Sequence, residues 1–101
     1  LVSLPIRVEG GSEGTALGHT VDLSASGGRV TTDTPLVEGD VVVLELPERS
    51  GLDRLRLPAL VWESYGDGAV LVFANVGPKE FTRLQEYLAS CQTRGSRPSS
   101  V

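Results

Sequence analysis

Asp22, Ser24 and Gly27 set a carboxylate, a hydroxyl and a glycine at the end of a β-prone stretch. Leu17 to Val21 leads in, and Arg29-Val30-Thr31-Thr32 leads out as a second such stretch. A strand that closes in a polar, glycine-ended turn can aim carboxylate, hydroxyl and backbone N–H groups at one small ligand. A guanine edge suits that set, because its N1–H and N2–H₂ donors pair well with a carboxylate. Asp, Ser and Gly are also the residues that ordinary turns use. Spacing alone leaves both readings open.

Other chemistry is less well supported. His19, Asp22 and Ser24 are the residue types of a catalytic triad. Strict strand alternation sends His19 and Asp22, three apart, to opposite faces, whereas a triad needs the histidine within reach of both partners. There is no G-x-S-x-G elbow and no phosphate loop of the G-K-S/T type. Cys91 and His19 are the only residues of their kinds, so neither an internal disulfide nor a zinc site from this chain is expected. The chain reads as non-enzymatic, with no cofactor. Arg7 and Arg29 flank the Asp22 strand and could reach a phosphate, although exposed arginine is the norm. Trp62, beside Glu63, is expected to pack and not to recognise a ligand.

The elements that must position Asp22 are strands. Val2, Leu4, Ile6 and Val8 alternate at period two, with Pro5 marking an edge or a strand's beginning. In the next strand, Leu17, His19 and Val21 share one face, and Thr20 and Asp22 the other. Val42, Leu44 and Leu46 alternate with Val41, Val43 and Glu45. After a charged connection, Leu55, Leu57, Ala59 and Val61 do the same. Tyr65-Gly66-Asp67-Gly68 reads as a hairpin turn into Ala69 to Ala74. Six strands at roughly ten-residue spacing, joined by turns, predict an antiparallel barrel or sandwich. Pro78 opens a helix in which Phe81, Leu84 and Leu88 recur, with Tyr87 beside them, as a face that caps an open barrel end. Residues 1–90 are expected to be the domain. From Cys91 to Val101 the polar composition predicts a disordered tail or linker.

Composition narrows the partners. With 101 residues, 40% of them apolar, the chain can bury one core. Residues 1–90 carry thirteen acidic and seven basic groups, a net of −6. An acidic body repels phosphate backbones, and five aromatic residues are too few for a stacking platform. A nucleic-acid polymer is therefore not the expected partner. No apolar run is long enough to span a membrane, and no leader is recognised, so the cytoplasm is the expected location.

Taken in order, Leu4-Pro5-Ile6-Arg7-Val8, the D-x-S-x-x-G run of Asp22, Ser24 and Gly27, and the strands around Val41–Leu46, Leu57–Trp62 and Gly68–Phe73 resemble a PilZ domain over roughly residues 1–90. The resemblance implies a six-stranded, Greek-key-like antiparallel β-barrel with one C-terminal helix. It also implies a non-catalytic receptor for cyclic di-GMP that relays second-messenger level to a protein partner or attached effector domain. Asp22 and Ser24 would then hydrogen-bond a guanine, and Gly27 would admit the backbone close to it. Binding members carry an R-x-x-x-R motif just ahead of the first strand, and here Arg7 is the one basic residue before Asp22. The resemblance thus implies either arginines supplied by a preceding segment or an adaptor that binds protein and not nucleotide.

Overall fold

The computed structural model describes residues 3–11, 14–48, 51–74 and 76–95, the last five as helix backbone only. Six strands run β1 (Pro5–Gly11), β2 (Gly14–Ser24), β3 (Gly27–Thr32), β4 (Val41–Leu46), β5 (Leu55–Tyr65) and β6 (Gly68–Phe73), followed by α1 (Pro78–Gly95). All pairings are antiparallel, and the sheet closes in the order β1-β2-β3-β6-β5-β4. β1, β2 and β3 form a meander, and β4 returns to lie beside β1, which is a Greek key. The barrel and its single helix are those the sequence leads one to expect.

Alternation explains most of the core. Leu4, Ile6, Val8, Val42, Leu44, Leu46, Leu55, Leu57, Ala59 and Val61 are all buried, each at the inward phase read from the sequence. Val2 lies outside the described residues. β1 starts at Pro5, where a missing N–H costs least. The β5–β6 hairpin turns on Gly66 at φ +54, a left-handed conformation that glycine adopts without a Cβ clash.

β2 alternates as far as Val21, but with its larger apolar side chains on the outside. Its inward residues are Ala16 and Thr20, while Leu17 and Val21 face solvent. The buried Thr20 hydroxyl accepts the Leu4 N–H at 2.9 Å, so a polar side chain sits in the core with its needs met. The face shared by Leu17, His19 and Val21 is therefore the outer one.

The helix lays Leu84 and Tyr87 into the core, with Leu88 packed against it. The Tyr87 hydroxyl donates to the Pro47 carbonyl, pinning α1 to the chain that follows β4. Phe81, expected on the same face, is 40% exposed. The helix also continues past Cys91 to Gly95, five residues into the segment read as a disordered tail or linker. Gln92, Thr93 and Arg94 include no helix breaker. Residues 96–101 of the expected tail lie outside the described residues.

Candidate functional site

Ser24 and Gly27 are paired across a hairpin with a two-residue loop, Ala25-Ser26. The Ser24 hydroxyl lies 3.2 Å from the Gly27 carbonyl oxygen and 3.2 Å from the Ser26 hydroxyl. Just before it, the β2–β3 register shifts between Thr20 and Asp22, with Val21 as the extra residue of a β-bulge. The bulge changes the phase of β2. Leu23 turns inward against the core opposite Gly28, and Asp22 turns outward opposite Arg29.

The bulge at Val21 overturns the strict alternation expected between His19 and Asp22. His19 and Asp22 both lie on the outer face, because the bulge falls between them. Asp22 nonetheless turns to Arg29, and His19 sits opposite Thr31.

The Asp22–Arg29 contact is bidentate from the arginine side. Arg29 Nε donates to Asp22 Oδ2 at 2.7 Å, and Nη2 approaches the same oxygen at 2.5 Å. Among the described residues, Oδ1 accepts only the longer Arg29 backbone N–H, at 3.3 Å. The guanidinium hydrogen bond holds the Asp22 carboxyl below its ordinary pKa, partly opposed by desolvation and reinforced by the arginine's charge. The same hydrogen bond, and the charge of Asp22, raise the pKa of Arg29.

Two cross-strand rows extend the site over the barrel's outside. One runs Asp22, Arg29, Val70, Glu63, and the other Ser24, Gly27, Val72, Leu60, Val41. Asp22, Ser24, Gly27, Arg29, Val70 and Val72 line an open depression of about 260 Å³. Ligand pockets for whole small molecules run from roughly 300 to 1,000 Å³. This one suits a single base-sized group, not a complete dinucleotide.

Gly27 and Gly28 are fixed by close backbone approach. A Cβ at Gly27 would collide with the Leu71 carbonyl oxygen of β6, and one at Gly28 would come within 2.6 Å of the Asp22 carbonyl oxygen. The glycine of the D-x-S-x-x-G run therefore has a structural reason independent of any ligand.

Arg7, the other arginine flanking the Asp22 strand, is engaged elsewhere. Arg7 pairs with Glu9 at 3.3 Å, in a network that joins Glu9 to Arg56 and Arg56 to Glu45. Arg29 is the arginine at the hairpin.

Two aromatic residues near this surface escape the sequence reading. Trp62 is the extra residue where the β5–β6 register shifts between Val61 and Glu63, and it is 66% exposed. It does not pack as expected: Val61 points inward, so strand alternation turns Trp62 out, and the bulge leaves Glu63 exposed beside it. Tyr65 is also exposed and lies over Gly68, whose Cβ would meet its ring at 2.8 Å. The signal that could have found both is the run Trp62-Glu63-Ser64-Tyr65, too polar for the strictly alternating apolar strand that precedes it.

Among the described residues, no group of three or more His, Cys, Asp or Glu is placed to hold a metal ion. No described helix is long and apolar enough to cross a membrane.

The comparisons with known proteins bear on the family and the fold. A family model described as PilZ domain matches residues 1–90. The crystal structure of the PilZ domain of CeSA from a cellulose-synthesizing bacterium superposes with a TM-score of 0.73 at 18% identity, covering 90% of this chain and 94% of that one. At that identity the likeness concerns the fold. No curated protein matches the chain in sequence.

Proposed function

From the premise that the chain belongs to the PilZ domain family, we propose that it is a non-catalytic receptor module for cyclic di-GMP. The observation that carries this reading is that Asp22 and Ser24 lie on the outer face, with the buried Gly27, around one open depression lined also by Val70 and Val72. Had this corner been packed shut, the reading would have failed. Asp22 Oδ1 keeps acceptor capacity for a guanine N–H, since its one bond is the 3.3 Å contact with the Arg29 backbone. The depression accommodates one base, and the phosphates need further cations. Arginines from a segment ahead of β1 would supply them, and ordering that segment on binding would be the switch.

Cyclic di-GMP titrated calorimetrically into the protein, with any native residues that precede Leu1 retained, should bind at micromolar affinity or tighter. Asp22→Ala should abolish the heat. Absence of heat from the wild-type protein refutes the receptor reading.

A second reading, a protein-binding adaptor that ignores the nucleotide, has its own observation. Val41 is 65% and Trp62 66% exposed, and with Leu60 and Val72 they form an apolar stripe across β4, β5 and β6. Such a patch on the outside of a small barrel marks an interaction surface. In the adaptor, capture of a partner survives Asp22→Ala, falls in Trp62→Ala and is indifferent to nucleotide. In the receptor, the same stripe relays the nucleotide's presence, and capture depends on it.

A further inference from the structure

We propose that Arg29 is a specificity-determining residue, which with Asp22 presents a donor beside an acceptor and so sets a preference for guanine over adenine. The inference rests on the cyclic di-GMP reading and adds to it a residue outside the D-x-S-x-x-G run.

The geometry is that of a half-used pair. Arg29 spends Nε and one Nη2 hydrogen on Asp22 Oδ2. A guanidinium has five N–H donors, and no described residue takes those of Nη1. On the carboxylate, Oδ2 is occupied and Oδ1 carries one long bond. The pair therefore offers spare donors from Arg29 and a spare acceptor from Asp22, side by side on the rim of the same depression. Cross-strand pairing through the β2 bulge keeps them adjacent. Neither has to leave the other to meet a ligand.

The edge of guanine reads acceptor at O6, donor at N1–H and donor at N2–H₂. Set against the pair, O6 faces the Arg29 donors and N1–H faces Asp22 Oδ1. Adenine in the same orientation presents the reverse: N6–H against Arg29 and the N1 lone pair against the carboxylate. Like meets like at both positions, so the site repels adenine as well as attracting guanine. Turning adenine over would restore the match, but it would swing the ribose to the wrong side of the base. Asp22 alone supplies one of the two mismatches, and Arg29 supplies the other.

The test measures the affinities of cyclic di-GMP and cyclic di-AMP for wild-type protein, Arg29→Met and Arg29→Lys, each checked for fold by circular dichroism. The expected result is that the guanine-over-adenine ratio falls about tenfold or more in Arg29→Met. Arg29→Lys, which keeps one donor without the fork, should fall between the two. If Arg29→Met weakens both nucleotides equally and leaves the ratio unchanged, Arg29 merely holds Asp22 in place and the proposal is overturned. Wild-type protein that binds neither nucleotide overturns the receptor reading first, and this proposal with it.

Discussion

Asp22 illustrates how one side chain serves both fold and site. Its carboxylate ties β2 to β3 through Arg29, and the lowered pKa makes that tie dependent on pH. A carboxyl depressed in the folded state stabilises above its unfolded pKa of about 3.9. The stabilisation is lost as pH falls through the lower folded value. Asp22→Asn should therefore be slightly less stable than wild type at pH 7, the gap narrowing as pH falls below about 3.9. Urea midpoints measured down that range check this, and a gap that does not narrow contradicts it. The spacing of Asp22, Ser24 and Gly27 was legible in the sequence because a two-residue hairpin loop keeps near neighbours together. Arg29's part was not legible, because its pairing with Asp22 depends on a bulge at Val21 that alternation does not announce. Trp62 is a different case: it lies at the outward phase that alternation from Val61 gives, and only the size of its ring makes burial the natural expectation.

At the scale of the elements, glycine marks where strands come closest. Gly18 faces the Thr31 carbonyl across β2–β3 much as Gly27 faces that of Leu71 across β3–β6. Alanine at either position has to push a neighbouring strand away. Both variants should lose about 2 kcal/mol or more in chemical denaturation. Loss confined to Gly27→Ala would mean that β2 and β3 can part at Gly18 without penalty. The β4 and β5 faces were readable because their alternation is unbroken from Val41 to Leu46 and from Leu55 to Val61. The outer face of β2 was not, since its apolar residues Leu17 and Val21 point to solvent and a threonine points in. For α1, the depth of Leu84 and Tyr87 separates docking from mere adjacency. Leu84→Ala should cost about 2–5 kcal/mol, and Tyr87→Phe, which loses the bond to Pro47, about 1 kcal/mol. Near-neutral outcomes for both would show that the helix is not part of the folded core.

The whole molecule sorts its outer surface into three regions. Arg7, Glu9, Glu45, Arg54 and Arg56 form an ion-paired face around β1, β4 and β5. The hairpin with Asp22 and Arg29 forms the candidate site, and the stripe from Val72 to Val41 joins it to Trp62. The net charge of −4 argues that any affinity for oligonucleotides should be weak. Fluorescence anisotropy with a labelled single strand should show no binding at physiological salt. Six strands without intervening helices left a barrel or a sandwich open, and the family resemblance pointed to the barrel; which strands meet to close it was not legible. The β3–β6 and β1–β4 contacts are distant in sequence, and only register brings them together.

The most direct measurement is a map of backbone amide shifts as cyclic di-GMP is added to the protein. The account predicts shifts concentrated at Asp22 to Thr31 and Gly68 to Phe73, with the ion-paired Arg7, Glu45 and Arg56 face silent. Shifts centred on that ion-paired face or on α1, or no shifts at all, would contradict it.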